Sequence, residues 1–183
     1  MNLVALNIEG AFAIKIEPQH DERGAFARIF CERHLSKAGF DEPVRQINLS
    51  QTMLSGTVRG LHFQHPPMAE VKLVHCLRGS VFDVILDIRK GSPTFLQWHG
   101  QILSGKDCNA LIVPRGCAHG FQTLTDDVEM LYVHSQFYDA AKEGGIHCAD
   151  PRISIKWPLN ITSLSPRDAA FPPLRDDFSG IEL

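Results

Sequence analysis

An arginine and a histidine stand three residues apart around a glycine in Thr57-Val58-Arg59-Gly60-Leu61-His62-Phe63-Gln64, inside an apolar, strand-like run. A planar, permanently charged guanidinium suits a phosphate, and an imidazole with an ordinary pKa near ~6.5 suits a proton at neutral pH. A second histidine, His119, lies in Pro114-Arg115-Gly116-Cys117-Ala118-His119-Gly120-Phe121, where glycines let the backbone approach a ligand closely. The two clusters suggest one pocket. Lys72 falls on the next expected strand, and Tyr132 shares a strand face with Met130 and His134. By spacing alone Tyr132 reads first as an ordinary packed aromatic. A phenol with an ordinary pKa near ~10 is protonated at neutral pH, so it can give a proton to a carbanion but is a poor resting base. That suits a two-residue device, His62 as base and Tyr132 as acid. Asp168, a solvated charge by default, would in that device orient His62 through the second ring nitrogen and stabilise its imidazolium.

The elements that must position these groups are short. Apolar stretches alternate with turn signals at intervals typical of an all-β sandwich or barrel. Strands are expected over Ala11 to Ile16, Phe26 to Phe30, Val44 to Leu49, Thr57 to Phe63, Val71 to Leu77, Val81 to Ile88, Phe95 to Leu103, Ala110 to Val113, Gly120 to Leu124 and Met130 to Gln136. Only Glu32 to Ala38 and Ala140 to Glu143 read as short helices. In Val81 to Ile88, Phe82, Val84, Leu86 and Ile88 share one parity and Asp83 and Asp87 the other, the alternation of a half-buried strand. From Pro151 onward five prolines predict an extended tail wrapped on the barrel, since proline cannot donate to a central ladder. A regular strand would place Arg59 and His62 on opposite faces, so a shared pocket requires an irregularity, which Gly60 could supply.

Composition narrows the class. At 183 residues one domain over 1–183 is the default. A formal charge of −3, from 18 basic and 21 acidic side chains without a basic block, argues against nucleic acid as a partner. No run approaches the ~20 apolar residues of a membrane span, and the start lacks the segments of a secretory signal, so a cytoplasmic location is expected. The five cysteines are scattered without a Cys-x-x-Cys pair, which predicts free, mostly buried thiols. His62 and His65 lack the His-x-His spacing and carboxylate partner of a cupin metal site, so no metal is expected. Dinucleotide, Walker-type and nucleophile-elbow motifs are absent.

Further motifs accompany these residues in order: Asp21-Glu22-Arg23-Gly24-Ala25-Phe26, Gln46-Ile47-Asn48, Arg59-Gly60-Leu61-His62, Lys72-Leu73-Val74, Asp87-Ile88-Arg89, Ala118-His119-Gly120-Phe121, Tyr132, Trp157-Pro158 and Ser165-Pro166-Arg167-Asp168. From about Gly10 to Pro173 the chain resembles the dTDP-4-dehydrorhamnose 3,5-epimerase family. The resemblance implies an all-β, cupin-like double-stranded β-helix, or jelly-roll barrel, with short peripheral helices and an extended C-terminal tail. It further implies a homodimer with a nucleotide-sugar substrate and no metal or organic cofactor. By resemblance His62 is the base, Tyr132 the acid and Asp168 the partner of His62. Arg23 and Arg59 hold the diphosphate, Tyr138 stacks on the thymine, and His119 sits beside the sugar. Phe26, Gln46, Asn48, Glu143 and Arg167 match further substrate contacts. Lys72 is the candidate cation for an enolate oxygen.

Two departures from the family pattern bear on substrate choice. Phe26-Ala27-Arg28 carries a base where the family usually has an acid, and Ser50 to Gly56 is one residue longer than usual. The expected reaction is epimerisation at C3 and C5 of a dTDP-4-keto-6-deoxyhexose. The rivals are a single-position epimerase of a related nucleotide sugar, a non-catalytic sugar-binding barrel and a metal-dependent cupin.

Overall fold

A computed structural model describes residues 1–183. Of thirteen strands, eleven form two main antiparallel sheets. The strands are β1 (Asn2–Ala5), β2 (Phe12–Lys15), β3 (Gln19–Asp21), β4 (Gly24–Phe26), β5 (Gln46–Thr52), β6 (Val58–Gln64), β7 (Lys72–Arg78), β8 (Ser80–Asp87), β9 (Trp98–Ser104), β10 (Asn109–Val113), β11 (Cys117–Thr123), β12 (Val128–His134) and β13 (Glu143–Gly145). One sheet runs β1-β2-β10-β7-β12-β5, the other β13-β6-β11-β8-β9, and β3-β4 forms a separate ribbon. This is the expected all-β jelly-roll class.

The inner faces of the two sheets meet in one core. Val74, Cys76, Leu111, Val113 and Met130 of the first sheet pack against Val81, Ile85, Leu103, Cys117 and Phe121 of the second. Each outer face has its own cover. Leu35 and Ala38, from helix α1 (Glu32–Leu35) and the 3-10 turn that follows, and Phe40 just beyond them lie on Leu73, Ile112 and Val133. Ile153, Ile155 and Ile181 of the tail lie on Leu61, Val84, Leu86 and Ile88. The tail therefore wraps the barrel, and β8 is buried on both faces rather than one. Asp83 and Asp87 are fully buried with it.

Other expectations need correction. The strand expected over Phe26 to Phe30 stops at Phe26, because β4 pairs only with β3 and Ala27 and Phe30 turn inward onto the helix-covered cluster. The helix expected over Ala140 to Glu143 is a turn, with Lys142 N–H donating to the Asp139 carbonyl (2.9 Å). Glu143 then begins β13, which pairs with β6 through Glu143 opposite Gln64 and Gly145 opposite His62. Strands β1, β3 and β13 and helix α2 (Pro166–Ala169) carry too few residues to leave a periodic signal. All five cysteines are free. No helix is long and apolar enough to cross a membrane.

Candidate active site

Between the sheets lies a cavity of about 510 Å³, lined by β5, β7 and β12 on one side and β6 and β11 on the other, with β13 and α2 at its edge. Its walls include Gln46, Asn48, Arg59, His62, Lys72, His119, Tyr132, Tyr138, Glu143, Arg167 and Asp168. The parity conflict between Arg59 and His62 is resolved by a bulge. On β11, His119 and Phe121 are two residues apart, yet they pair with His62 and Arg59, which are three apart. The extra residue turns both side chains into the cavity. Gly60 permits this. Its φ is +122°, and a Cβ there would sit 2.6 Å from Gly120 Cα and 2.8 Å from the His119 carbonyl oxygen.

Asp168 reaches the site on α2. Val58 N–H donates to the Ser163 carbonyl (3.0 Å), laying the tail beside β6. Pro166 then starts the helix, and Ser165 caps it by accepting from Asp168 N–H (3.0 Å). The buried carboxylate lies 2.8 Å from His62 Nε2 and accepts from Gly60 N–H at 3.1 Å. Burial alone would raise the Asp168 pKa, but the His62 and Gly60 hydrogen bonds outweigh it and hold the carboxyl well below the usual range. An ionised Asp168 fixes the proton on Nε2, which leaves Nδ1 without a protein partner as the basic nitrogen. Arg167 Nη2, also 2.9 Å from Nε2, cannot donate there while that nitrogen is protonated. Its Nη1 donates to both Glu143 oxygens (2.8 Å each), and Tyr138 Oη donates to Glu143 at 2.9 Å.

Lys72 Nζ lies 3.1 Å from Glu70 Oε1 and donates to the His62 carbonyl at 3.4 Å. Glu70 also accepts from Gln64 and lies 3.8 Å from His134 Nδ1. Burial works against its ionisation, yet His134, the Lys72 ammonium and Gln64 together hold its pKa down at about 2. His119 Nε2 sits 2.9 Å from both oxygens of Asp83, whose carboxyl burial pushes up despite the histidine. The partly buried Tyr132 ring lies edge-on to His119 (centroids 6.3 Å apart) and stacks with His134 (6.2 Å). Its phenol is pushed well up by burial, so it stays protonated at neutral pH, and Ser50 Oγ is 3.1 Å from Oη. Arg59 is held by Thr52 Oγ1 (2.9 Å) and the Gln51 carbonyl (3.0 Å).

Two expected site residues are elsewhere. Arg23 and Phe26 belong to the exposed β3-β4 ribbon, where Arg23 pairs with Asp21 and Phe26 is 70% exposed. Neither lines this chain's cavity. Sequence reasoning missed Ser50, Glu70 and the backing role of Asp83, because each acquires its place through contacts with residues distant in the chain. No group of three or more His, Cys, Asp or Glu side chains is arranged to hold a metal ion.

The model of the dTDP-4-dehydrorhamnose 3,5-epimerase family matches residues 5–176. The chain belongs to this family. A 3,5-epimerase of Mycobacterium tuberculosis is 39% identical over 93% of this chain and 86% of its own length. A dTDP-4-dehydrorhamnose 3-epimerase of Streptomyces niveus is 40% identical over 92% of this chain and 81% of its own. Among solved structures, a 3,5-epimerase from Legionella pneumophila in complex with dTDP-4-keto-L-rhamnose superposes with a TM-score of 0.87 at 39% identity, covering 93% of this chain and 90% of that one. Membership in the epimerase family makes the chain an isomerase.

Proposed function

We propose that this chain epimerises C3 and C5 of a dTDP-4-keto-6-deoxyhexose, converting the 4-dehydro-6-deoxyglucose nucleotide into the 4-dehydro-L-rhamnose nucleotide. The observation that carries the reading is an Asp168-oriented His62 on one sheet and a high-pKa Tyr132 on the other, both lining one cavity. C3 and C5 each neighbour the C4 ketone, so either proton becomes acidic once the enolate oxygen is stabilised. Lys72 and His119 are the cavity's candidate donors for that oxygen. His62 Nδ1 takes the proton from one face of the ring, and Tyr132 returns one from the other. The reading calls on no metal or organic cofactor, and chelator treatment is expected to leave activity unchanged.

Arg59 and Arg167 supply charge for the diphosphate, Tyr138 offers its ring to the base, and Gln46, Asn48 and Glu143 border the same space. Arg23 and Phe26 enter this reading only through a second copy. β5 is a sheet edge with Ile47 and Leu49 more than half exposed, a surface that invites a covering partner. In this reading a homodimer joins there, and the ribbon of one protomer meets the cavity of its partner. The whole chain acts as one cytoplasmic domain in this account. A monomeric mass at micromolar concentration would remove the dimer from it.

The deciding experiment follows the C3 and C5 proton signals of dTDP-4-keto-6-deoxyglucose by NMR in deuterium oxide. Loss of both is the expected result. Loss of one would make the chain a single-position epimerase, the activity in the Streptomyces niveus relative's name. Loss of neither would point to Arg28 and another nucleotide.

A further inference from the structure

We propose that Ser50 returns the proton that Tyr132 gives up, and so decides whether one ring carbon or two are inverted. The inference rests on the acid–base reading above and extends it to the interval between the two inversions.

Each inversion moves one proton from a ring carbon to His62 and another from Tyr132 to that carbon. The first round therefore ends with an imidazolium and a phenolate, the reverse of the state needed to begin. A second inversion on the same bound sugar requires Tyr132 to be reprotonated while the substrate still fills the cavity. Burial has raised the phenol's affinity for a proton, so reprotonation is downhill, and what limits it is a route.

The structure provides one route. The only hydrogen-bond partner of Tyr132 Oη in the protein is Ser50 Oγ, at 3.1 Å, and Tyr132 is likewise the only partner of Ser50 Oγ. The other titratable groups around the ring are engaged elsewhere. His119 Nε2 is held by Asp83, His134 lies between Glu70 and Asn48, Arg59 is held by β5, and Lys72 by Glu70. The Ser50 hydroxyl lines the cavity with one side on the phenol and the other unclaimed by protein.

Direction follows from chemistry. For the Tyr132 O–H to point at a ring carbon, its oxygen must accept from Ser50, so the serine proton already aims at the atom that will become anionic. On resetting, the Ser50 O–H bond breaks as the Tyr132 O–H bond forms, and Ser50 takes a proton from a cavity water. The resulting hydroxide is neutralised by the proton that His62 Nδ1 releases. The net change is one proton carried from imidazolium to phenolate through solvent, with nothing oxidised or reduced.

The test uses the full chain with dTDP-4-keto-6-deoxyglucose in deuterium oxide, comparing wild type with Ser50→Ala and Ser50→Thr and reading the ratio of singly to doubly inverted sugar over time. In Ser50→Ala the first inversion should stay within about threefold of wild type while the second slows by about tenfold or more, so singly inverted sugar accumulates. Ser50→Thr should restore the wild-type ratio. A Ser50→Ala ratio equal to wild type, whether both rates persist or both fall together, would overturn the proposal. Should Ser50→Ala fail to fold, the wild-type protein decides. A two-proton relay gives the second inversion a curved dependence on the deuterium fraction of the solvent, and a linear one overturns it. His62→Asn in the same assay separates the levels of failure, since continued exchange there would sink the acid–base reading itself.

Discussion

His62 and Tyr132 carry separable duties in the proposed mechanism, and single substitutions should separate them. His62→Asn removes the only base and should abolish exchange at both carbons, whereas Tyr132→Phe should keep proton abstraction and lose net inversion by about a hundredfold or more. Equal loss of exchange and inversion in Tyr132→Phe would contradict the acid role. Glu70 acts one step back, as the carboxylate 3.1 Å from Lys72. Glu70→Gln keeps the shape but removes the counter-charge, so kcat should fall by about tenfold, first on the alkaline side of the pH–rate profile. A profile that drops uniformly would assign Glu70 to packing alone. With nine histidines in the chain, His62 was legible through its company, Arg59, Lys72 and His119, and the role of Tyr132 through the family resemblance. Glu70 in Met68-Ala69-Glu70-Val71 has no such signature. Its meaning comes from Gln64, Lys72 and His134 converging on it in space.

At the scale of elements, the bulge in β6 aligns Arg59 with His62. Gly60→Ala would force an L side chain into a φ of +122° and against the β11 backbone. It should destabilise the fold by about 3 kcal/mol or more, a fall of several degrees in Tm, and disturb Asp168 through Gly60 N–H. An unchanged Tm would show that the bulge relaxes at no cost. The parity of Thr57 to Phe63 exposed the need for this irregularity and offered Gly60 for it, and the pairing with β11 shows it there. The long strands were readable because each holds several apolar residues on one face. Strand β13, which begins where the helix expected over Ala140 to Glu143 ends, went unread because Glu143-Gly144-Gly145 has no apolar face and becomes a strand only by lying on β6. Alternation in β8 was misleading for a related reason. The apolar parity of Phe82, Val84, Leu86 and Ile88 is the face the tail covers, while the face with Asp83 and Asp87 is buried between the sheets.

For the whole molecule, acid stability follows from burial. His75 lies on the helix-covered side of β7 with no partner for Nε2, and burial lowers its pKa from 6.5 to about 4. A group with a depressed folded pKa contributes stability that is complete above its unfolded value and is lost as pH falls through the folded one. His75 should therefore cost the fold about 3 kcal/mol between pH 6.5 and 4. Glu70, at about 2 against 4.5, adds a second loss at lower pH. Urea midpoints across this range should slope downward with acid, and His75→Leu should flatten the upper part. An unchanged slope would mean that His75 is solvated in the folded state.

The tail that covers the second sheet also carries Asp168. During synthesis, a nascent chain that has emerged only as far as β12 already holds His62, Lys72 and Tyr132, yet nothing fixes the tautomer of its imidazole. The imidazole is thus oriented only after the segment around Ser163 to Asp168 has docked on β6. Such an intermediate also lacks Tyr138, Glu143 and Arg167, so the site is incomplete until the tail has folded back onto β6.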